Sequence, residues 1–133
     1  MKALSVRQPY AWAIIHGGKD VENRTWHSAF RGTVLIHAGL HWHAVGPVEL
    51  SQRMGMAVPA ELPLGGIVGM VEIVDCIQAH PSPWFEGPWG FVLKNPRPLP
   101  FTPCHGHLGF YDAPPDVLAQ LGLLGTDCPQ WPP

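Results

Sequence analysis

What limits the fold of this chain most is how often its backbone is interrupted. Sixteen prolines and fifteen glycines fall among 133 residues. Proline fixes φ and lacks a donor, and glycine ends helices and bends strands. Such punctuation predicts many turns, short strands and few long helices. The stretch that best escapes it is "GGIVGMVEIVDCIQAH", residues 65–80. It is rich in β-branched residues and opens on a glycine pair, so it reads as a strand.

The other elements fall on either side of that run. Leu4 to Val6 is strand-like, and Pro9 suits the first turn of a short helix. Ala11, Ile14 and Ile15 give that helix one apolar face, and Gly17 and Gly18 stop it. "DVENRTW" then reads as extended, placing Asp20, Glu22 and Arg24 on one face and Lys19, Val21 and Asn23 on the other. A strand centred on Val34, Leu35 and Ile36 follows the Arg31-Gly32 turn. Residues 40–64 form a connection with a helical turn or two around Val48 to Arg53. After the loop "PSPWFEGP", "WGFVLKNPRPLP" is a strand ending at Asn95-Pro96. "PCHGHLGFY" is a short closing segment, "PPDVLAQLGLLG" a late helix, and "TDCPQWPP" an irregular tail.

Strands and long helices do not alternate, so a doubly wound parallel sheet is not expected. The pattern predicts an α+β fold: a small, mostly antiparallel β-barrel with helices packed outside. The length suits one domain over residues 1–133, with 113–133 as a C-terminal helix and proline-rich tail.

The hydrophobic share of 46% against 14% charged residues marks a globular composition. The net charge of −2 excludes any argument for a polyanion partner from gross electrostatics; a nucleic-acid site would have to be a local patch. No apolar run is long enough to span a bilayer, and "MKALSVRQPYAW" has no leader pattern, so a cytoplasmic location and no membrane partner are expected. Cys76, Cys104 and Cys128 are odd in number and widely spaced, which predicts reduced thiols, with Cys76 buried on a strand.

In a chain so poor in charge, "RQPYAWAIIHGGKDVENRTW" crowds Lys19, Glu22, Asn23 and Arg24 behind one helix. An ammonium beside another cation can act as a base or nucleophile. A carboxylate can hold that ammonium charged or move a proton itself. A guanidinium fork suits phosphate, and an amide both donates to and accepts from a base edge. Read from the residues alone, the bland account is at least as strong: Glu22 and Arg24 as an ion pair, Lys19 as a solvated lysine, Asn23 bonding a turn. Gln8 either presents its amide to the same cleft or bonds the backbone where the helix starts. Among the aromatics Trp84 is nominated as a stacking ring, and Trp12 is expected in the core. "HAGLHWH" and "CHGH" bring histidines together, but Gly39 interrupts any helical pairing and no metal is expected. Glu72 sits within an apolar run and either faces outward, the expectation because alternation allows it, or turns inward to pair with Arg24 or Lys19.

In "SVRQPYAWAIIHGGKDVENRTW", "RGTVLIHAG", "WGFVLKNPRPLP" and "CHGHLGF", the sequence resembles the ASCH domain family, in order over residues 4 to about 111. The resemblance implies a PUA-like fold with a cleft beside the loop after the first helix, and an association with RNA. One bacterial branch of the family is an amidohydrolase acting on N4-acetylcytidine. That branch is similar at Gly18-Lys19 and at Arg24, but carries hydroxyl residues where this chain has Asp20 and Glu22. A Thr with a catalytic role there aligns with Glu22, so of its catalytic set only Lys19 transfers.

Three functions are therefore open. The first is a cleft that binds a nucleotide or single-stranded or modified RNA through Gln8, Lys19, Glu22, Asn23, Arg24 and Trp84, without a cofactor. The second is an enzyme in which Lys19 and Glu22 hydrolyse an acylated pyrimidine nucleoside or cleave RNA. The third is a protein-interaction domain, which leaves the polar cluster unexplained.

Overall fold

The structure is a computed structural model and describes residues 1–125. The expected irregular tail and Cys128 lie outside the described residues. The chain runs β1 (Lys2–Val6), α1 (Tyr10–His16), β2 (Val21–Arg24), β3 (Gly32–Ala38), α2 (Pro47–Met54), β4 (Gly66–Ile77), β5 (Trp89–Pro103), β6 (Phe110–Asp112) and α3 (Pro115–Gln120). None of these helices is long and apolar enough to cross a membrane.

The six strands form one mixed sheet in the order β2-β5-β4-β3-β1-β6. β1 and β3 are parallel, with Leu4 opposite Ile36, and the other pairings are antiparallel. The sheet curls into a half-barrel that brings its two ends together. Arg24 on β2 donates to the carbonyl of Ser5 on β1, and Trp26 just beyond β2 meets Phe110 on β6, with ring centroids 5.7 Å apart. This is the expected α+β architecture.

Alternation along the strands sorts the core into two layers. Leu4, Val34, Ile36, Val71, Ile73 and Phe91 pack on one side with Ile14 of α1. Ala3, Leu35, Ile67 and Met70 pack on the other, under Val117 and Leu118 of α3. A third, smaller cluster joins Ala13 of α1, Val21 of β2, Leu50 of α2 and Trp84. It ties together the elements that surround the charged segment. Trp12, expected in the core, is only partly buried and packs against this third cluster.

β5 runs eight residues past the Asn95-Pro96 step where a strand end was expected. The reason is its position in the sheet. β2 pairs only with Trp89 to Val92, so beyond that point β5 has β4 on one side and an open edge on the other. Pro96, Pro98 and Pro100 fall at every second position, which puts all three donor-less nitrogens on one edge of the strand. Prolines are tolerated where no ladder bond is needed. Asn95 takes a positive φ of 56° where the register with β4 is irregular.

Candidate functional site

α1 is short because Gly17 and Gly18 end it, and the manner of its ending builds the site. Gly18 adopts φ +74°, and the N–H of Lys19 turns back to the carbonyl of Ala13 at 3.0 Å. Lys19 therefore leaves the helix before β2 begins. The alternation that placed Lys19 opposite Glu22 and Arg24 does not extend to it, because it lies in a turn and not in a strand. Its side chain reaches forward instead. The ammonium donates to Glu22 Oε1 at 2.8 Å and to the carbonyl of Val21. It also lies 5.3 Å from the ring centroid of Tyr10 and 5.9 Å from that of Trp84.

Glu22 and Arg24 share a strand face, as alternation predicts. Arg24 Nη2 donates to Glu22 Oε2 at 3.0 Å and to the Ser5 carbonyl at 2.8 Å. One carboxylate thus holds two cations, and the trio keeps one net positive charge. Burial pushes the Glu22 carboxyl up, but the charges of Lys19 and Arg24 more than offset it and hold it below the usual range. Glu22 stays ionised. Lys19 is 4% exposed and Glu22 8%, so this is a floor and not a solvated turn. Among the described residues, Arg24 Nε is buried with no hydrogen-bond partner.

The trio lies at the bottom of a cleft of about 680 Å³, within the size range of small-molecule sites. Its walls carry Tyr10, Trp26 and Trp84. Burial and then the nearby Glu86 carboxylate raise the Tyr10 phenol, outweighing the opposing pull of Arg53, so Tyr10 remains a hydroxyl donor. At the mouth, Arg53 of α2 meets Glu86 at 3.9 Å, both half exposed or more.

The other nominated residues divide. Trp84 lines the cleft but is 9% exposed and packed into the third core cluster, so it serves as wall more than as a free stacking face. Asn23 also lines the cleft, yet its amide is spent on the 81–88 loop. It donates to the Trp84 carbonyl and accepts from the N–H groups of Glu86 and Gly87. Gln8 does not reach the cleft. Its side chain accepts from the Trp12 N–H and donates to the Pro63 carbonyl, beside a separate hollow under Trp12 and Phe101. It is the helix-start residue, bonded to backbone.

Glu72 turns outward to Asn95, at 3.3 Å, and is not part of the trio. His37 is buried, with Nε2 donating to the Cys104 carbonyl at 2.6 Å and Nδ1 accepting from Ser5 at 3.0 Å. Among the described residues no group of three His, Cys, Asp or Glu side chains is placed to hold a metal. Cys76 is buried on β4 and Cys104 partly buried; both are free thiols.

Tyr10, Trp26 and Arg53 are cleft residues that sequence reasoning did not nominate. Tyr10 had a signal, since it opens the helix that delivers Lys19. Arg53 had none, because nothing local ties α2 to the charged segment.

The ASCH domain model matches residues 4–99, which is most of the chain. The chain belongs to the ASCH domain family. Activating signal cointegrator 1 from Homo sapiens is 28% identical over 113 residues, an alignment covering 72% of this chain and 19% of the relative. The Mus musculus protein of that name is 26% identical over the same length. This chain thus corresponds to about a fifth of those relatives. ASCH from Zymomonas mobilis has a similar fold, with a TM-score of 0.54 at 15% identity over 91% of this chain and 92% of that one. Two mutants of that protein superpose equally well. The ASCH match contains the whole trio, α1 and both flanking strands. The segment between β5 and β6, which adds His107 and Leu108 to the cleft, lies beyond it.

Proposed function

We propose that the cleft binds a nucleotide, alone or as part of RNA, with Lys19, Glu22 and Arg24 as its charged floor. The observation that carries this reading is the two-to-one balance of the floor, which leaves one uncompensated positive charge under aromatic walls in a chain whose net charge is −2. A positive floor in a low-dielectric hollow draws an anionic group, and the rings offer apolar faces to a base. The RNA association that the ASCH resemblance implies points the same way.

The hydrolytic alternative, an acylated pyrimidine nucleoside or an RNA phosphodiester attacked through Lys19 and Glu22, asks more of these residues. A lysine acts as nucleophile or base only after shedding its proton. Here the ammonium is hydrogen-bonded to a carboxylate that is itself held ionised. Binding needs no such rearrangement.

The test is calorimetric titration of nucleoside monophosphates and short RNAs into wild type, Lys19→Ala and Arg24→Ala, with melting curves to confirm folding. The acylated nucleosides are assayed for turnover alongside. Wild type is expected to bind, and each variant to lose roughly tenfold in affinity, the size of one good charged hydrogen bond. Absence of wild-type binding to every nucleotide and RNA tested would reject the proposal. Turnover that disappears in Lys19→Ala would replace it with the hydrolytic reading.

A further inference from the structure

A second polar cluster, apart from the trio, lies where β1 meets β3. Ser5 and His37 are register partners on these parallel strands, and Ser5 Oγ lies 3.0 Å from His37 Nδ1. The other ring nitrogen, Nε2, is 2.6 Å from the Cys104 carbonyl. A carbonyl oxygen can only accept, so in the neutral ring Nε2 carries the proton and Nδ1 the lone pair. The Ser5 hydroxyl must then donate to Nδ1. Its one hydrogen is committed there, and the Tyr111 hydroxyl, 3.4 Å from Ser5 Oγ, faces it as a donor. A hydroxyl bonded to a base that a third group orients is the arrangement that activates a serine. His37 is 2% exposed, whereas Ser5 is partly exposed and lines the cleft, so the base is shielded and the hydroxyl is reachable. Burial holds the imidazole below its ordinary 6.5, outweighing the Cys104 carbonyl, with His107 and His105 adding to it, and Nδ1 is free to take a proton at neutral pH.

We propose that Ser5 and His37 form a nucleophile–base pair that cleaves short-chain carboxylic esters. Ser5 Oγ attacks the ester carbonyl carbon and forms a C–O bond while its proton passes to Nδ1. The Cys104 carbonyl holds the resulting imidazolium. Arg24, which donates to the Ser5 carbonyl at 2.8 Å and whose buried Nε has no partner among the described residues, brings positive charge to the oxyanion. Collapse breaks the bond to the alcohol, which leaves with the proton from Nδ1, and the acyl group stays on Ser5. Water then attacks the same carbon. Nδ1 takes its proton and returns it to Ser5 Oγ as the carboxylic acid departs. Two features set the substrate class. Gly106 lies so close over the pair that a Cβ there would fall 2.7 Å from Ser5 Oγ and His37 Cε1, which leaves room for a short acyl group. A carbonyl orients the ring without the full negative charge of a carboxylate, which suits esters, whose alcohol leaves readily, more than amides. This activity does not depend on nucleotide binding.

The experiment treats the whole chain with a fluorophosphonate, which phosphonylates an activated serine with loss of fluoride, and with p-nitrophenyl acetate as the ester. Wild type, Ser5→Ala and His37→Gln are compared, with melting curves for each. Wild type is expected to take up the phosphonyl group at Ser5, located by peptide mass spectrometry, and to hydrolyse the ester. Ser5→Ala loses the adduct and roughly tenfold or more of the ester rate. His37→Gln keeps the serine but is labelled roughly a hundredfold more slowly, the lower end of what a positioned base supplies. Should His37→Gln fail to fold, the pH profile of wild-type labelling decides in its place. The rate should rise with pH and reach its plateau by pH 6.5, because His37 sheds its proton below that value; a rate still climbing above it overturns the inference. So does a folded wild type unlabelled at Ser5, labelling undiminished in folded His37→Gln, or ester cleavage that survives intact in Ser5→Ala. Nucleotide binding is judged separately by the calorimetric titration and stands or falls on its own.

Discussion

At the residue scale the charge balance of the cleft turns on Glu22. Replacing it by Gln leaves Lys19 and Arg24 facing each other in a buried floor without a counter-charge. Removing one partner of a buried ionic group is costly, so Glu22→Gln is expected to lose about 3 kcal/mol in denaturant unfolding. The same carboxylate gives an acid signature. Its folded pKa lies below the ordinary 4.5, so the unfolded chain takes up the proton first as pH falls. The stability it contributes is present above pH 4.5 and is lost as pH drops through the folded value; Glu22→Gln should flatten that limb. His37 acts at higher pH. Burial holds its imidazole below the ordinary 6.5, helped by His105 and His107 and opposed by the Cys104 carbonyl. A base protonated first in the unfolded chain costs stability as pH falls below 6.5, so a pH series of unfolding free energies should show two separate declines, and His37→Gln should remove the upper one. The residues also show how far a motif reads. Lys19, Glu22 and Arg24 are brought together as their crowding suggested, whereas the Gln8 amide faces backbone, because an amide beside a helix start satisfies the first free N–H of that helix. A pattern of letters cannot say which way such a side chain turns.

At the element scale one side chain on β2 organises a loop. Asn23 makes three hydrogen bonds to the backbone between Trp84 and Gly87, so the wall of the cleft is set from its floor. Asn23→Ala is expected to cost about 2 kcal/mol, the order of stranding such backbone groups. Amide exchange at Glu86 and Gly87 should rise while β4 stays protected; equal acceleration across both would mean the loop is not held this way. The elements legible in the sequence were those with local signals: α1 between Pro9 and Gly17, β4 as a β-branched run, and α3 behind its prolines, with α2 read only as a helical turn or two around Val48 to Arg53. β5 was legible only in its first half, since whether a proline ends a strand depends on which edge has a neighbour, and that is settled by β2 pairing so briefly. The cleft was half legible for the same reason. Its floor is one continuous segment, but its rim comes from α2, from the residues after β3 and from the turn before β6, which only the folded sheet brings to one place.

At the scale of the whole molecule the curl of the sheet and the cleft depend on the same contacts. Arg24 joins β2 to β1 while pairing with Glu22, and Trp26 joins the end of β2 to β6 while lining the cleft. The site is therefore formed where the two edges of the half-barrel approach, and four of the eight Lys and Arg residues line it while the overall charge stays at −2. This distribution fixes the salt dependence to be expected. For the proposed ligand in its RNA form, a local patch that meets one or two phosphates should give a slope of log K against log salt of about −1, since each phosphate contributes roughly −0.7 for single strands. A surface built for duplex would give a slope several times steeper. Arg53 is the cation to remove, because its exposed pairing with Glu86 at 3.9 Å adds little stability. Arg53→Gln should leave the melting temperature nearly unchanged and bring the slope closer to zero by about 0.7. An unchanged slope in that variant would mean the mouth of the cleft does not meet the strand's phosphates, and that the charge of the buried trio alone holds the ligand.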